Sequence, residues 1–242
     1  MPTPTPANGP AAEAVSQARR LWFAAAAAAL AYGMSLRDAP YPDQAAAKVL
    51  MCALLILACA RHAPARERFW LYSALVASAA GDALLALPQL SLSFVGGLGA
   101  FLLAHVAYCA LLAPLADRPR GWRRVALPML WAAALGMYVQ FLPRLGALAL
   151  PVAAYMVALC LMASFAVSAR LPRPTVAIGG LAFVASDAMI GIDRFITAFT
   201  GSAYAIWATY ALAQLSLVGG ILLRRRSDPA PSSDRRSESA PH

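Results

Sequence analysis

Charge is scarce in this chain. Only 13% of its 242 residues are Asp, Glu, Lys or Arg, against about 25% in a soluble domain. Lysine is nearly absent, Lys48 standing alone beside nineteen arginines. Histidine occurs three times, as His62, His105 and His242, and only His105 lies within an apolar run, which excludes a three-histidine zinc hydrolase by count. The four cysteines, Cys52, Cys59, Cys109 and Cys160, are scattered through apolar runs with no CxxC spacing. That pattern argues against a disulfide framework and a zinc site, and no metal or cofactor is expected. The formal net charge is +9, but the arginines sit in the breaks between apolar runs, which speaks against nucleic acid as a partner.

What the chain has instead is apolar length. Hydrophobic residues make up 61% of it. Residues 1–18, rich in Pro, Thr and Ala, read as a disordered lead-in. Arg19 and Arg20 then precede an apolar run over 21–36, expected to be a retained first helix rather than a cleaved signal. Seven further runs follow at 44–60, 68–87, 91–115, 124–142, 145–168, 175–197 and 203–223, most near the ~20 residues that span a bilayer as a helix. Pro- and Gly-containing breaks, such as Leu142-Pro-Arg and Leu171-Pro-Arg-Pro174, separate them. The fold class expected is all-α: a polytopic bundle of eight transmembrane helices over 19–223, with a disordered basic and polar tail at 224–242. With an even count, sixteen of the nineteen arginines fall on the side of the termini and only Arg37, Arg144 and Arg194 opposite. Both termini are therefore expected in the cytoplasm, and the arginine-rich, alanine-rich composition points to a bacterial inner membrane.

Two aspartates each stand in a small-Asp-Ala pattern inside an apolar run, Asp82 in Ser78-Ala-Ala-Gly-Asp82-Ala and Asp187 in Phe183-Val-Ala-Ser186-Asp187-Ala. A carboxylate in the middle of a membrane helix costs ~2.5–3.5 kcal/mol on insertion scales and is by default a functional residue facing the bundle interior. At 1.5 Å per residue they lie ~20 Å and ~18 Å along two helices that run in the same direction, hence at nearly equal depth. No buried lysine or arginine is expected at that level. Tyr210 and Gln214 share one helix face, His105 and Tyr108 another, and Arg194 lies two turns outward of Asp187. Lys48 begins the second helix near the outer side. Each of these polar residues also has a plain reading as an interhelical hydrogen-bond partner or a snorkelling cation.

These motifs together resemble the YhhN-like lysoplasmalogenases. The likeness rests on Ser78-Ala-Ala-Gly-Asp82-Ala-Leu-Leu-Ala-Leu87, on Phe94-Val-Gly-Gly-Leu-Gly-Ala-Phe101-Leu-Leu-Ala-His105-Val-Ala-Tyr108, on Phe183-Val-Ala-Ser186-Asp187, on Arg194-Phe195 and on Tyr210-Ala-Leu-Ala-Gln214. It covers residues 25–223, and Lys48 matches the family's basic residue at the start of helix two. The resemblance implies a hydrolase of the vinyl-ether bond of lysoplasmalogen, a lysophospholipid met in the bilayer, giving a fatty aldehyde and a glycerophospho-alcohol. Asp82 and Asp187 are then the expected acid and base, in either order, sharing a proton. Ser78, His105, Tyr108, Ser186, Tyr210 and Gln214 are expected to position water and substrate, and Lys48 and Arg194 to hold the phosphate. A proton-coupled transporter using the two aspartates as a relay is the alternative from another class, although the halves of the chain show no convincing inverted repeat.

Overall fold

A computed structural model of the protein describes residues 10–60, 62, 64–171 and 174–222. They form α1 (Pro10–Ser35), α2 (Gln44–Cys59), α3 (Ala65–Leu85), α4 (Ser93–Leu112), α5 (Arg123–Leu145), α6 (Ala149–Ser168), α7 (Thr175–Phe195) and α8 (Ser202–Leu222). Among the described residues there is no strand, only one antiparallel bridge between Ala116 and Ala169. Beside that bridge Arg170 Nη2 lies 2.6 Å from Asp117 Oδ1 and holds this carboxyl below its ordinary range.

Helix α1 begins at Pro10 and not near Leu21, so residues 10–18 open the helix where a disordered lead-in was expected. Proline suits the first helical position, and the alanines after it have the highest helix propensity. The expected break at Leu142-Pro-Arg is also displaced. Pro128 and Pro143 both lie inside α5, which stops only at Gly146, whose φ of +51° belongs to a glycine. The extreme N-terminus and the tail at 224–242 fall outside the described residues.

Seven of these helices close a ring in the order α1, α2, α3, α4, α6, α7, α8, and α5 stands outside it against α6 and α7. Glycines set the closest approaches. A Cβ at Gly179 of α7 would come within 2.8 Å of the Leu217 backbone nitrogen on α8, and one at Gly81 of α3 within 2.7 Å of the Phe101 ring on α4. Small residues at such crossings let backbones meet where the surrounding lipid supplies no hydrophobic drive. The interior is filled by Leu55, Leu75, Tyr108, Met162, Phe183 and Leu217. Leu, Val, Met and Phe side chains are exposed around the outside of the bundle, among them Leu30, Leu57, Phe69, Leu103, Leu135 and Leu150.

Among the described residues four stretches are long and apolar enough to cross a membrane: Ser93–Leu115, Arg123–Ser168 (which carries both α5 and α6), Thr175–Phe195 and Ser202–Leu222. Helix α2 is apolar but only 16 residues long, and α1 and α3 carry charges in their first turns. The chain is thus an all-α bundle with apolar membrane-length helices.

Replacing Gly179 by Val should cost about 1–3 kcal/mol through overpacking against α8, and lower the thermal unfolding temperature of the detergent-purified protein. Gly136→Ala, at a position where an added Cβ meets nothing within 4 Å, should leave that temperature unchanged or raise it.

Candidate functional site

The C-terminal ends of α1, α3 and α7 and the N-terminal ends of α2 and α8 meet at one end of the bundle. They enclose a chamber of about 200 Å³ whose wall includes Gln44, Lys48, Asp82, Ser186, Asp187 and Tyr210. The two aspartates therefore face one space, as their matched positions on parallel helices led one to expect. Asp82 lies only three residues before the end of α3, near this mouth rather than at mid-helix.

Asp82 is buried, with 1% of its side chain exposed, and is fully engaged. Lys48 Nζ stands 3.5 Å from Oδ1. The Tyr210 hydroxyl donates to Oδ2 at 2.6 Å, and Cys52 Sγ lies 3.8 Å from the same oxygen. This corrects the expectation that no lysine reaches the level of the aspartates. Helix α2 is short, so its second turn already sits at that depth and Lys48 turns to the carboxylate. Behind Tyr210 runs a chain of hydrogen bonds: the Tyr108 hydroxyl donates to Gln214 Oε1, and Gln214 Nε2 donates to the Tyr210 oxygen at 3.2 Å. All three are buried. The order of donors is self-consistent, since Gln214 receives on its carbonyl and gives from its amide. It fixes the carboxylate from α4 through α8 to α3.

Asp187 has a separate set of partners. The Tyr155 hydroxyl of α6 donates to Oδ2 at 2.6 Å, and His105 Nε2 lies 3.6 Å from the same atom. His105 is wholly buried and neither ring nitrogen has a hydrogen-bond partner among the described residues. Its ring packs edge-on against Phe183 and Tyr155, at 4.7 Å and 5.1 Å between centroids. No hydrogen bond joins Asp82 to Asp187 among the described residues. Each carboxyl has its own cradle, and the expected sharing of a single proton between them has no contact to support it.

The remaining expected residues divide. Ser186 lines the chamber and ties α7 to α8 by donating to the Ile206 carbonyl at 3.1 Å. Ser78 is buried one turn below Asp82, its hydroxyl without a hydrogen-bond partner among the described residues, and does not reach the chamber wall. Tyr108, Gln214 and His105 stand behind the wall as supports. Arg194 is exposed and does not line the chamber; its guanidinium lies over the Phe94 ring, 4.8 Å from the centroid. Sequence reasoning missed Tyr155, Cys52, Tyr32 and Gln44. Tyr155 carried a signal, being the sole tyrosine of an α6 whose only other polar side chains, cysteine aside, are two serines. Cys52 carried none, because a cysteine in an apolar run reads as a small hydrophobe.

A second, apolar pocket of about 130 Å³ lies between α4, α5, α6 and α7, and Asp187 and Ile190 belong to the walls of both.

Residues 44–221 match the YhhN family. The chain belongs to this family. Two relatives, from Mycobacterium bovis and Mycobacterium tuberculosis, are each 42% identical over 220 residues, covering 84% of this chain and 84% of the relative, and each is named lysoplasmalogenase. No solved structure matches the chain. The YhhN segment starts at α2 and ends within α8, so it contains both aspartate cradles.

Tyr210→Phe removes the donor to Asp82 and the acceptor of Gln214 while keeping the ring. We expect it to destabilise the folded protein by about 1–3 kcal/mol, the cost of stranding buried polar groups. Arg194→Ala should shift the unfolding temperature far less, and comparing the two melts in one detergent checks the contrast.

Proposed function

We propose that this member of the YhhN family is a membrane-embedded lysoplasmalogenase that hydrolyses the vinyl ether of a lysoplasmalogen by aspartate acid and base catalysis. The single observation that carries the reading is the pair of differently cradled carboxyls on one chamber, in a chain whose relatives are named for that reaction.

The chemistry needs a proton on carbon, and carbon is a slow base, so a positioned acid is required. Asp187, which has hydroxyl and imidazole neighbours and no lysine or arginine among its contacts, supplies it. Its proton goes to the β-carbon of the vinyl ether, and the double-bond electrons form the new C–H bond. The positive charge left on the α-carbon and ether oxygen is stabilised by Asp82, kept as an anion opposite the Lys48 ammonium. Water adds to the α-carbon and gives its proton to Asp82. The hemiacetal then collapses: its hydroxyl proton returns to Asp187, the C–O bond to glycerol breaks, and Asp82 returns its proton to the leaving oxygen. One water is consumed, an aldehyde and an alcohol leave, and both aspartates recover their starting states. Tyr155 and Tyr210 orient the two carboxyls, and Lys48 serves Asp82 instead of the lipid phosphate. Arg194, at the same end of the bundle, remains available to the phosphate from outside the chamber.

The same reading places all eight helices across a bacterial inner membrane with both termini in the cytoplasm, as the arginine distribution requires. The chamber mouth then opens at the outer leaflet. The transporter alternative is not favoured, since no hydrogen-bonded path links the two aspartates among the described residues and the relatives carry an enzyme's name.

Purified protein should release a long-chain aldehyde from lysoplasmalogen, and Asp82→Asn and Asp187→Asn should each lower kcat by about 10²-fold or more while remaining folded, the scale of a lost general acid or base. Folded wild type that releases no aldehyde would sink the assignment. In the same assay Tyr155→Phe should reduce kcat by about 10-fold, the loss of one hydrogen bond to a reacting carboxyl, with KM little changed.

A further inference from the structure

The apolar pocket beside the chamber has a shape and a position that ask for a particular occupant. Its wall is built of Leu98, Met137, Phe141, Val152, Met156 and Leu159, among other apolar side chains, and its polar feature is the carboxyl of Asp187 with the Tyr155 hydroxyl behind it. Asp187 and Ile190, one turn apart on α7, are common to both walls. The chamber on the other side of this partition carries Lys48, Asp82 and Gln44. A molecule that fills both spaces has a polar end, an apolar chain and its junction at Asp187.

The outer wall of the pocket is α5, the helix that stands outside the ring. It buries only Phe141 and Leu145, and two hydrogen bonds tie it to α6, from Trp131 Nε1 to Ser164 Oγ at 3.1 Å and from the Tyr138 hydroxyl to the Ala149 carbonyl at 3.2 Å. Ala133, on the pocket wall, is exposed on the outer surface of the bundle. The pocket therefore opens sideways past α5 toward the surrounding lipid. Three small residues, Ala133, Ala134 and Ala188, keep it open, while at Gly191 a Cβ would strike the Phe141 ring at 2.7 Å and so marks where α5 and α7 close.

We infer that this pocket between α5 and α7 holds the hydrocarbon chain of the lipid substrate, entering laterally past α5, and that Ala134 and Ala188 set the chain that is accepted. The inference rests on the vinyl-ether reading for what happens at Asp187, and it explains why Asp187 rather than Asp82 meets the β-carbon. That carbon is the second of the chain, one beyond the carbon that carries the ether oxygen, and Asp187 is the carboxyl on the wall of the chain pocket.

The test uses a non-cleavable probe, a 1-O-alkyl lysophosphatidylcholine with a diazirine at the chain end, photolysed with the full-length protein in nanodiscs and mapped by peptide mass spectrometry. Label competed by unlabelled lysolipid should fall on Met137, Phe141, Met156 or Leu159. Ala134→Phe, which narrows the pocket on α5 away from either carboxyl's hydrogen bonds, should abolish that label in protein that melts like wild type. With cleavable substrates, the same variant should lower the ratio of kcat/KM for a sixteen-carbon over a four-carbon vinyl ether by about 10-fold or more, the range a hydrophobic pocket discriminates. Label found only on lipid-facing side chains such as Leu30 and Leu57, or label in the pocket that Ala134→Phe leaves intact, would overturn the inference. Pocket labelling without aldehyde release would keep the chain site and reject the vinyl-ether reaction, so the two claims fail separately.

Discussion

A carboxylate cannot stay in an apolar bundle alone, and Asp82 imposes that constraint on everything around it. Its two oxygens are met by an ammonium from α2, a phenol from α8 and a thiol from α2. Hydrogen bonds to a charged group are worth about 1.5–3 kcal/mol each in proteins, enough to offset the insertion cost of one aspartate. Meeting that need forces α2, α3 and α8 to converge at one end of the bundle. The chamber is the space this convergence leaves, and Gln214 and Tyr108 extend the constraint inward to α4.

Asp187 is supported differently. It takes one short hydrogen bond from Tyr155 and leans on a histidine whose ring nitrogens find no partner among the described residues. Phe183 and Phe101 fill the space between the two cradles with edge-to-face contacts, Phe183 meeting both His105 and Tyr210. Two carboxyls in one low-dielectric site, given unlike neighbours, can hold unlike protonation states, which is what an acid and a base in a single reaction require.

The aromatic wall depends in turn on the glycines. Phe101 reaches the chamber because Gly81, the residue before Asp82, has no side chain to block it. The motif around Asp82 is thus a packing device: its glycine lets α3 and α4 come close enough for the Phe101 ring to lie against the α3 backbone.

The all-α class, the positions of most helices and the two central aspartates were legible in the sequence, because apolar length and isolated charge in a lipid-soluble run are one-dimensional signals. So was the face shared by Tyr210 and Gln214, since a spacing of four residues is one helical turn. Which partner each aspartate takes was decided only by the tertiary structure. Lys48 and Asp82 are 34 positions apart, and Tyr155 and Asp187 32, and nothing local records that α2 is short enough to bring a lysine level with α3. The exclusion of α5 from the ring, and the apolar pocket that follows from it, likewise depend on how helix faces pack, which hydropathy alone does not encode when every face is apolar.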